Sequence, residues 1–373
     1  MSNQSPSPPI RPDPPTLHFN RKERVTLAVA ALAIVTTFTL RSAGASSVAV
    51  FVASAVALAA LASLVGDATS QLGGHLGPGA TGVLQSALGN LPELFISIFA
   101  LKAGLVVLVQ TALIGSILAN SLLVLGLAFL AGGWKHGVLR FGTTQSRMMS
   151  TLLLLSVAAL SIPAVATAPG APDAGHADGL SLIVAVVLLC VFAASIPFSV
   201  EGGPGATIQK PTEAHPWPLA AALAILVLAG MSAAFVSEWF VDALVPSMAA
   251  LGVSEAFVGL VVVAIAGNAV ENVAGVQAAM RNEPDLAISL ILNSSLQVAL
   301  ALTPALVILS QVMGIAHLTL VLSPLLIAAV ALSGILSVLI VYDGEATWLE
   351  GLALVGLYVI IAASVWWGPS VGP

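Results

Sequence analysis

The chain has 373 residues, 58% of them hydrophobic and 8% charged, and a formal net charge of −6. Soluble proteins carry about 25% charged residues, so this composition excludes a soluble globular fold and gives an integral membrane protein. A single cysteine, Cys190, excludes an internal disulfide and a cysteine metal cluster.

In chain order, residues 1–20 contain Pro6, Pro8, Pro9, Pro12, Pro14 and Pro15 and read as a disordered cytoplasmic tail. No cleavable signal peptide is visible, because the first apolar run is followed by Arg41 rather than a small-residue cleavage site. About 20 apolar residues cross a bilayer as a helix. On that ruler the sequence predicts eleven spans, at 25–41, 46–66, 80–101, 105–131, 148–167, 179–199, 217–237, 253–280, 284–309, 318–341 and 348–367. The shortest separations, Lys102-Ala103-Gly104 and Arg281–Asp285, read as tight turns. The 253–280 run is too long for a straight crossing and requires tilt or a break.

Lys and Arg set the orientation. With the N-terminus inside, the cytoplasmic side receives Arg11, Arg21, Lys22, Arg24, Lys135, Arg140, Arg147, Lys210 and Arg281. The outer side receives only Arg41 and Lys102, while its loops hold Asp173, Asp178, Glu238 and Asp242. Eleven spans then leave the C-terminus outside, and the expected location is a bacterial inner (plasma) membrane.

The organisation follows from a repeated stretch. Gly89-Asn90-Leu91-Pro92-Glu93 in one apolar run matches Gly267-Asn268-Ala269-Val270-Glu271 in another. The same spacing of 178 residues separates the two glycines, the two glutamates, and Ser116 from Ser294. The first span, 21–43, stands alone. Residues 44–200 and 217–373 hold five spans each, joined by a polar cytoplasmic linker at 201–216. Five is odd, so the second half enters the membrane from the opposite side. The predicted fold is all-α and integral to the membrane, with one N-terminal helix plus two inverted five-helix repeats, an architecture of secondary transporters.

Of the 17 acidic residues, only Glu93 and Glu271 fall well inside predicted spans. A charge at mid-membrane costs at least about 2.5–3.5 kcal/mol, so such groups face a polar cavity and mark an ion pathway. Gly-Asn weakens the helix beside each glutamate, and Pro92 removes one N–H and disrupts the preceding turn. Backbone carbonyls freed in this way are tolerated at membrane depth where they line a cavity. The next helix of each half adds Ser116 and Asn120, and Asn293, Ser294, Ser295 and Gln297. All of these are oxygen ligands, and the six histidines fall in predicted loops or tails. Such a set suits Ca²⁺, with Mn²⁺ or Na⁺ also compatible, and does not suit Zn²⁺ or Cu⁺.

Charge counting gives the mechanism. Two ionised glutamates neutralise one Ca²⁺, and two protons do the same, so cation and protons compete for one site. If only a neutralised site reorients, exchange is obligatory. Glu255 lies about 24 Å from Glu271 along a straight helix, outside that site and at the outer mouth. Asp67, Glu283 and Asp285 flank cytoplasmic turns and read as solvated or helix-capping groups.

At these residues the chain resembles the Ca²⁺/H⁺ antiporter (cation/proton exchanger) family of the Ca²⁺/cation antiporter superfamily. The matching text is GNLPELFISIFALKAGLVVLVQTALIGSILANSLLVLGLAFLAGG from Gly89 and GNAVENVAGVQAAMRNEPDLAISLILNSSLQVAL from Gly267, with GVSEAFVGL ahead of the second. The resemblance implies alternating access to a central site in which Glu93 and Glu271 bind the cation and protons, helped by Asn90, Asn268 and Gln297. It also suggests that the first span helps to gate access. Four departures stand out. Asn272 replaces a His common in the family, Ala68–Leu72 lacks the usual acidic pair, Gln85 stands where Asn is common, and Pro92 is unusual.

The predicted ligand set is therefore Glu93, Glu271, Asn90, Asn268, Gln297, Ser116 and Ser294, with protons on the two glutamates. Ca²⁺ is substrate, and no cofactor is expected. The alternatives are a Na⁺/H⁺ or K⁺/H⁺ antiporter of the same fold, or a passive cation channel. No HExxH or GxxxxGK[ST] motif is present, which excludes the enzyme and ATP-driven classes those motifs mark. No basic patch supports a nucleic-acid partner.

Overall fold

Apolar runs that cannot hydrogen-bond to lipid must satisfy their backbone internally, and here they do so as helices. The computed structural model describes residues 19–76, 88–171, 173–200 and 217–367. The Pro-rich tail up to residue 18, the start of the predicted 80–101 span with Gln85, the linker at 201–216 and the last six residues lie outside the described residues.

The helices are α1 Arg21–Ser42, α2 Ser47–Leu76 and α3 Leu91–Lys102, then α4 Val106–His136, α5 Thr143–Ala166 and α6 Ala177–Val200. The second half holds α7 Leu219–Leu251, α8 Glu255–Gly267, α9 Ala269–Met280, α10 Pro284–Val312, α11 Pro324–Ile340 and α12 Trp348–Ser364. Strands β1 Leu139–Arg140 and β2 Glu345–Ala346 form a short antiparallel ribbon. Among the described residues, seven helices are long and apolar enough to cross a membrane, or eight with the bent pair α8–α9 as one span.

The two tight turns form where the sequence places them, with Gly104 at φ 79° and Asn282 at φ 63°. The long 253–280 run does break. Helices α8 and α9 meet at Asn268 with a 65° bend. Pro92 corrects the expectation of a disrupted turn. It occupies the first turn of α3, where its missing N–H has no partner to lose. Helix α7 also outruns its predicted end. Its apolar run continues through Glu238 and Asp242, which sit on exposed faces of the helix rather than in a loop. His75 likewise belongs to the last turn of α2, where its Nε2 meets the Trp217 carbonyl at 2.7 Å.

Burial separates centre from rim. Helix α4 is 83% buried over its most apolar window and α10 is 72% buried, against 17% for α1. Glycines allow α4 this position. A Cβ at Gly115 would stand 2.5 Å from the Leu260 Cα, and one at Gly259 would stand 2.5 Å from the Leu108 carbonyl oxygen. Gly126 and Gly351 do the same between α4 and α12. Lipid tails are as apolar as leucine, so close van der Waals contact of this kind, rather than exclusion of water, holds such helices together.

The loops gather at two ends. At one end Lys135 Nζ and His136 Nε2 reach the Met280 carbonyl, the Gly142 N–H donates to Asp285 Oδ1, and Arg147 lies over the Tyr342 ring. Lys22–Asp67, Arg140–Glu345 and Arg281–Glu283 are ion pairs at that end. At the other end Arg41 pairs with Asp242, Gln110 donates to the Thr319 carbonyl, and Ser254 Oγ donates to the Val365 carbonyl.

Candidate functional site

Two helix starts bring the site together. The chain enters α3 through Asn90 and enters α9 through Asn268, and neither asparagine side chain caps its own helix. Both amides are therefore free to act elsewhere. Glu93 and Glu271 stand in the first turns of those helices, where the helix dipole favours negative charge.

Glu93 is fully buried. Its Oε1 accepts a hydrogen bond from Ser116 Oγ on α4, and its Oε2 is buried without a partner. Gly267 lies against it, so that a Cβ there would be 3.4 Å from Glu93 Cβ and 3.6 Å from its carboxyl carbon. The second motif thus contacts the glutamate of the first. Glu271 lies within electrostatic reach of Glu93 and keeps partial exposure.

Asn268 is the hub. It is fully buried, its Nδ2 donates to Ser116 Oγ at 3.1 Å and to the Ala264 carbonyl at 3.0 Å, and its Oδ1 accepts from Ser294 Oγ at 3.2 Å. Ser294 Oγ in turn accepts from Asn120 Nδ2 at 2.9 Å. A continuous chain therefore runs Glu93, Ser116, Asn268, Ser294, Asn120, across four helices and both halves.

Local backbone geometry supports this meeting point. A π-helical turn spans Ala119–Val124 and contains Asn120, another spans Val298–Leu302 directly after Gln297, and a third spans Val258–Val263 ahead of Gly267. Such turns shift side chains out of the regular helical register and recur at functional sites.

The sequence-predicted residues divide accordingly. Glu93, Ser116, Asn268 and Ser294 join one hydrogen-bonded cluster, with Glu271 beside it. Asn90 is buried three residues before Glu93, and Gln297 is buried one turn after Ser294. Asn293 is exposed on the far side of α10, and the Ser295 hydroxyl bonds its own helix at the Ile291 carbonyl. Glu255 is half-buried and has a fixed backbone partner. Its Oε1 accepts the Leu108 N–H at 2.8 Å and so caps α4 across the two halves. Asp285 caps the start of α5 in the same way.

Sequence reasoning passed over Asn272 as a ligand. Its Oδ1 and that of Asn120 are buried without partners, and the sequence signals are an amide one turn beyond a site residue and its place where the family commonly has His. Among the described residues no three His, Cys, Asp or Glu side chains converge on one point. The site therefore offers two carboxylates supplemented by neutral oxygens, which fits a hard cation that is bound and released.

Comparisons with known proteins agree. The profile of the family described as "Sodium/calcium exchanger protein" matches residues 46–200 and 221–367. The Ca²⁺/H⁺ antiporter ChaA of Bacillus subtilis is 34% identical over 323 residues, covering 85% of this chain and 91% of that protein. The Ca²⁺/H⁺ antiporter of Aphanothece halophytica is 31% identical, covering 87% and 91%. The solved structure of native YfkE superposes with a TM-score of 0.78 at 30% identity, covering 91% of this chain and 99% of that one. The H⁺/Ca²⁺ exchanger CAX superposes at 0.72, covering 92% of each chain, and its 16% identity speaks to the fold alone.

Proposed function

The chain belongs to the sodium/calcium exchanger protein family, and on that footing we propose that it is a secondary active antiporter exporting Ca²⁺ from the cytoplasm in exchange for protons. The observation that carries this reading is the Glu93 carboxylate, which is fully buried, held at one oxygen by Ser116 and unpartnered at the other, with Glu271 in electrostatic reach. A fully buried carboxylate with a second one beside it must be neutralised to stay in a membrane interior. One divalent cation achieves this, and two protons achieve it equally.

In the cation-bound state Glu93 and Glu271 supply the charge, and Ser116, Asn268, Ser294, Asn90 and Gln297 supply or orient neutral oxygens. In the proton-bound state the same carboxyl groups carry the protons. Only a neutralised site passes between the two faces, which couples the fluxes. Because the same groups serve both ions, no second pathway is needed.

The topology we propose is eleven spans, one plus two inverted fives, with 21–43 as the lone helix, 44–200 and 217–373 as the repeats, and 201–216 as the linker. The matched stretches 46–200 and 221–367 support this division. So do α3 and α9, each 12 residues long and each starting one residue after its motif asparagine. The end that carries Lys135, Arg140, Arg147 and Arg281 is the cytoplasmic one by the positive-inside rule, in a bacterial plasma membrane.

The test is purified protein in vesicles with a pH gradient, given Ca²⁺, Mn²⁺, Na⁺ and K⁺ in turn. Ca²⁺ is expected to drive proton movement, and Glu93→Gln or Glu271→Gln to abolish it. Failure of every cation to dissipate the gradient, or full exchange by the two Gln variants, would sink the reading.

A further inference from the structure

Helix α9 lies on α4 along one face. Asn268, Asn272, Gly275 and Ala279 follow each other on that face at helical spacing. Asn268 Nδ2 meets Ser116 Oγ at 3.1 Å. A Cβ on Gly275 would stand 3.7 Å from Val124 Cγ1, and one on Gly132 would stand 3.1 Å from Ala279 Cβ. The same Cβ on Gly275 would stand 2.7 Å from Ile291 Cγ1 of α10, so the stripe runs where α9 meets both α4 and α10, with α4 beside it before and after Asn272. Asn120 sits midway between Ser116 and Val124, as Asn272 sits between Asn268 and Gly275. The register places the two amides at one level.

Both have a buried Oδ1 with no partner, and Asn120 is fully buried with its Nδ2 committed to Ser294. A buried acceptor without a donor is destabilising. Two at one level, beside a carboxylate that also has an unpartnered oxygen, mark a place shaped for something that oxygen atoms hold.

We propose that Asn120 and Asn272 form a second, uncharged station for the transported divalent cation, one helical turn from the glutamates towards the end that carries Lys135 and Arg281. This rests on the antiporter reading above. Amide carbonyls are hard ligands that Ca²⁺ accepts together with water. They do not titrate, so the station takes the cation and not the proton. Lacking charge, it holds the ion loosely and passes it to Glu93 and Glu271, which neutralise it.

The test uses the full chain in vesicles of known orientation, with Ca²⁺ as probe and an internal pH dye. Asn272→Leu is expected to raise the half-saturating Ca²⁺ about tenfold when Ca²⁺ is added at the Lys135/Arg281 face, and to leave it within about twofold at the opposite face. The dependence on proton concentration stays unchanged. Exchange from the opposite face shows that the variant is folded. Asn272→Asp keeps an oxygen at the same reach and is expected to restore the wild-type value or a lower one. Asn272→Ser serves if the Leu variant is not recovered, with the same one-faced rise expected. A wild-type chain without exchange overturns both readings. Wild-type exchange with an equal shift at both faces, with no shift at either, or with Asp as impaired as Leu, overturns the station alone.

Discussion

The two copies of the Gly-Asn-x-x-Glu motif occupy matching places and have exchanged parts. In the first copy the glutamate is the fully buried member, bonded to Ser116 and pressed by Gly267. In the second the asparagine is the fully buried member, bonded to Ser116, Ser294 and the Ala264 carbonyl, while Glu271 keeps partial exposure. Similar sequences therefore do not make equivalent half-sites. Each half-site is completed by the neighbours that the other half supplies, and those neighbours differ. Glu93 borrows its glycine from the second half, and Asn268 borrows its serine from the first.

The largest expected effect tests whether both halves are indispensable. Glu93→Gln and Glu271→Gln should each reduce Ca²⁺-driven proton movement to background in vesicles. If Glu271→Gln alone retained substantial exchange, the partly exposed glutamate would be an accessory and the site would belong to Glu93.

Next comes the junction that lets the halves meet. Gly115→Val and Gly259→Val, on opposed halves, each place atoms against backbone: the first meets Leu260, and the second meets the Leu108 carbonyl oxygen as well as Thr111 Oγ1. Each should lose about 1–3 kcal/mol by overpacking, read as a lower thermal midpoint in detergent. A neutral result at either glycine would show that α4 and α8 can separate without harm.

A sharper contrast lies in the two serines. Ser116 donates directly to a carboxylate, whereas Ser294 bonds two amides. Hydrogen bonds to charged groups are worth about 1.5–3 kcal/mol and neutral ones about 0.5–1.5. Ser116→Ala should therefore raise the half-saturating Ca²⁺ about tenfold or more, and Ser294→Ala only about threefold, by titrating Ca²⁺ against exchange rate. The reverse order would move the centre of the site to the second half.

The smallest effect is at the rim. Arg41 and Asp242 pair at 2.9 Å but both are solvent-accessible. Exposed pairs contribute about 0–1 kcal/mol, so Arg41→Ala should barely change the thermal midpoint or the exchange rate. A large loss would show that α1 is held to α7 mainly by that pair.

Much of the candidate site is legible in the sequence because membrane burial makes polar residues conspicuous. Glu93, Glu271, Asn268, Ser116 and Ser294 stand out against runs of Ala, Leu and Val at a fixed spacing. The unpartnered Asn272 oxygen is not legible, because lacking a partner is a property of what surrounds it. Asn293 looks as good a ligand as Ser294, and only the rotation of α10 turns one outward and the other in. Glu255 reads as a mouth residue, and only the fold shows that α4 begins beside it. Pro92 reads as a helix breaker because one-dimensional text does not show whether a helix is already beginning there.

The order of residues alone makes this chain helical and membrane-embedded, places its tight turns and singles out two carboxylates. These follow from local properties: the free energy of placing each residue in lipid and the spacing of residues along one helix. Which helix is central, which asparagine is the hub and which oxygens lack partners emerge from the packed fold. Those depend on rotation and register between helices from opposite halves, set by close contacts such as Gly115 on Leu260 and Gly259 on Leu108. Packing between distant segments has no period in the chain, so no reading of the chain alone reveals it.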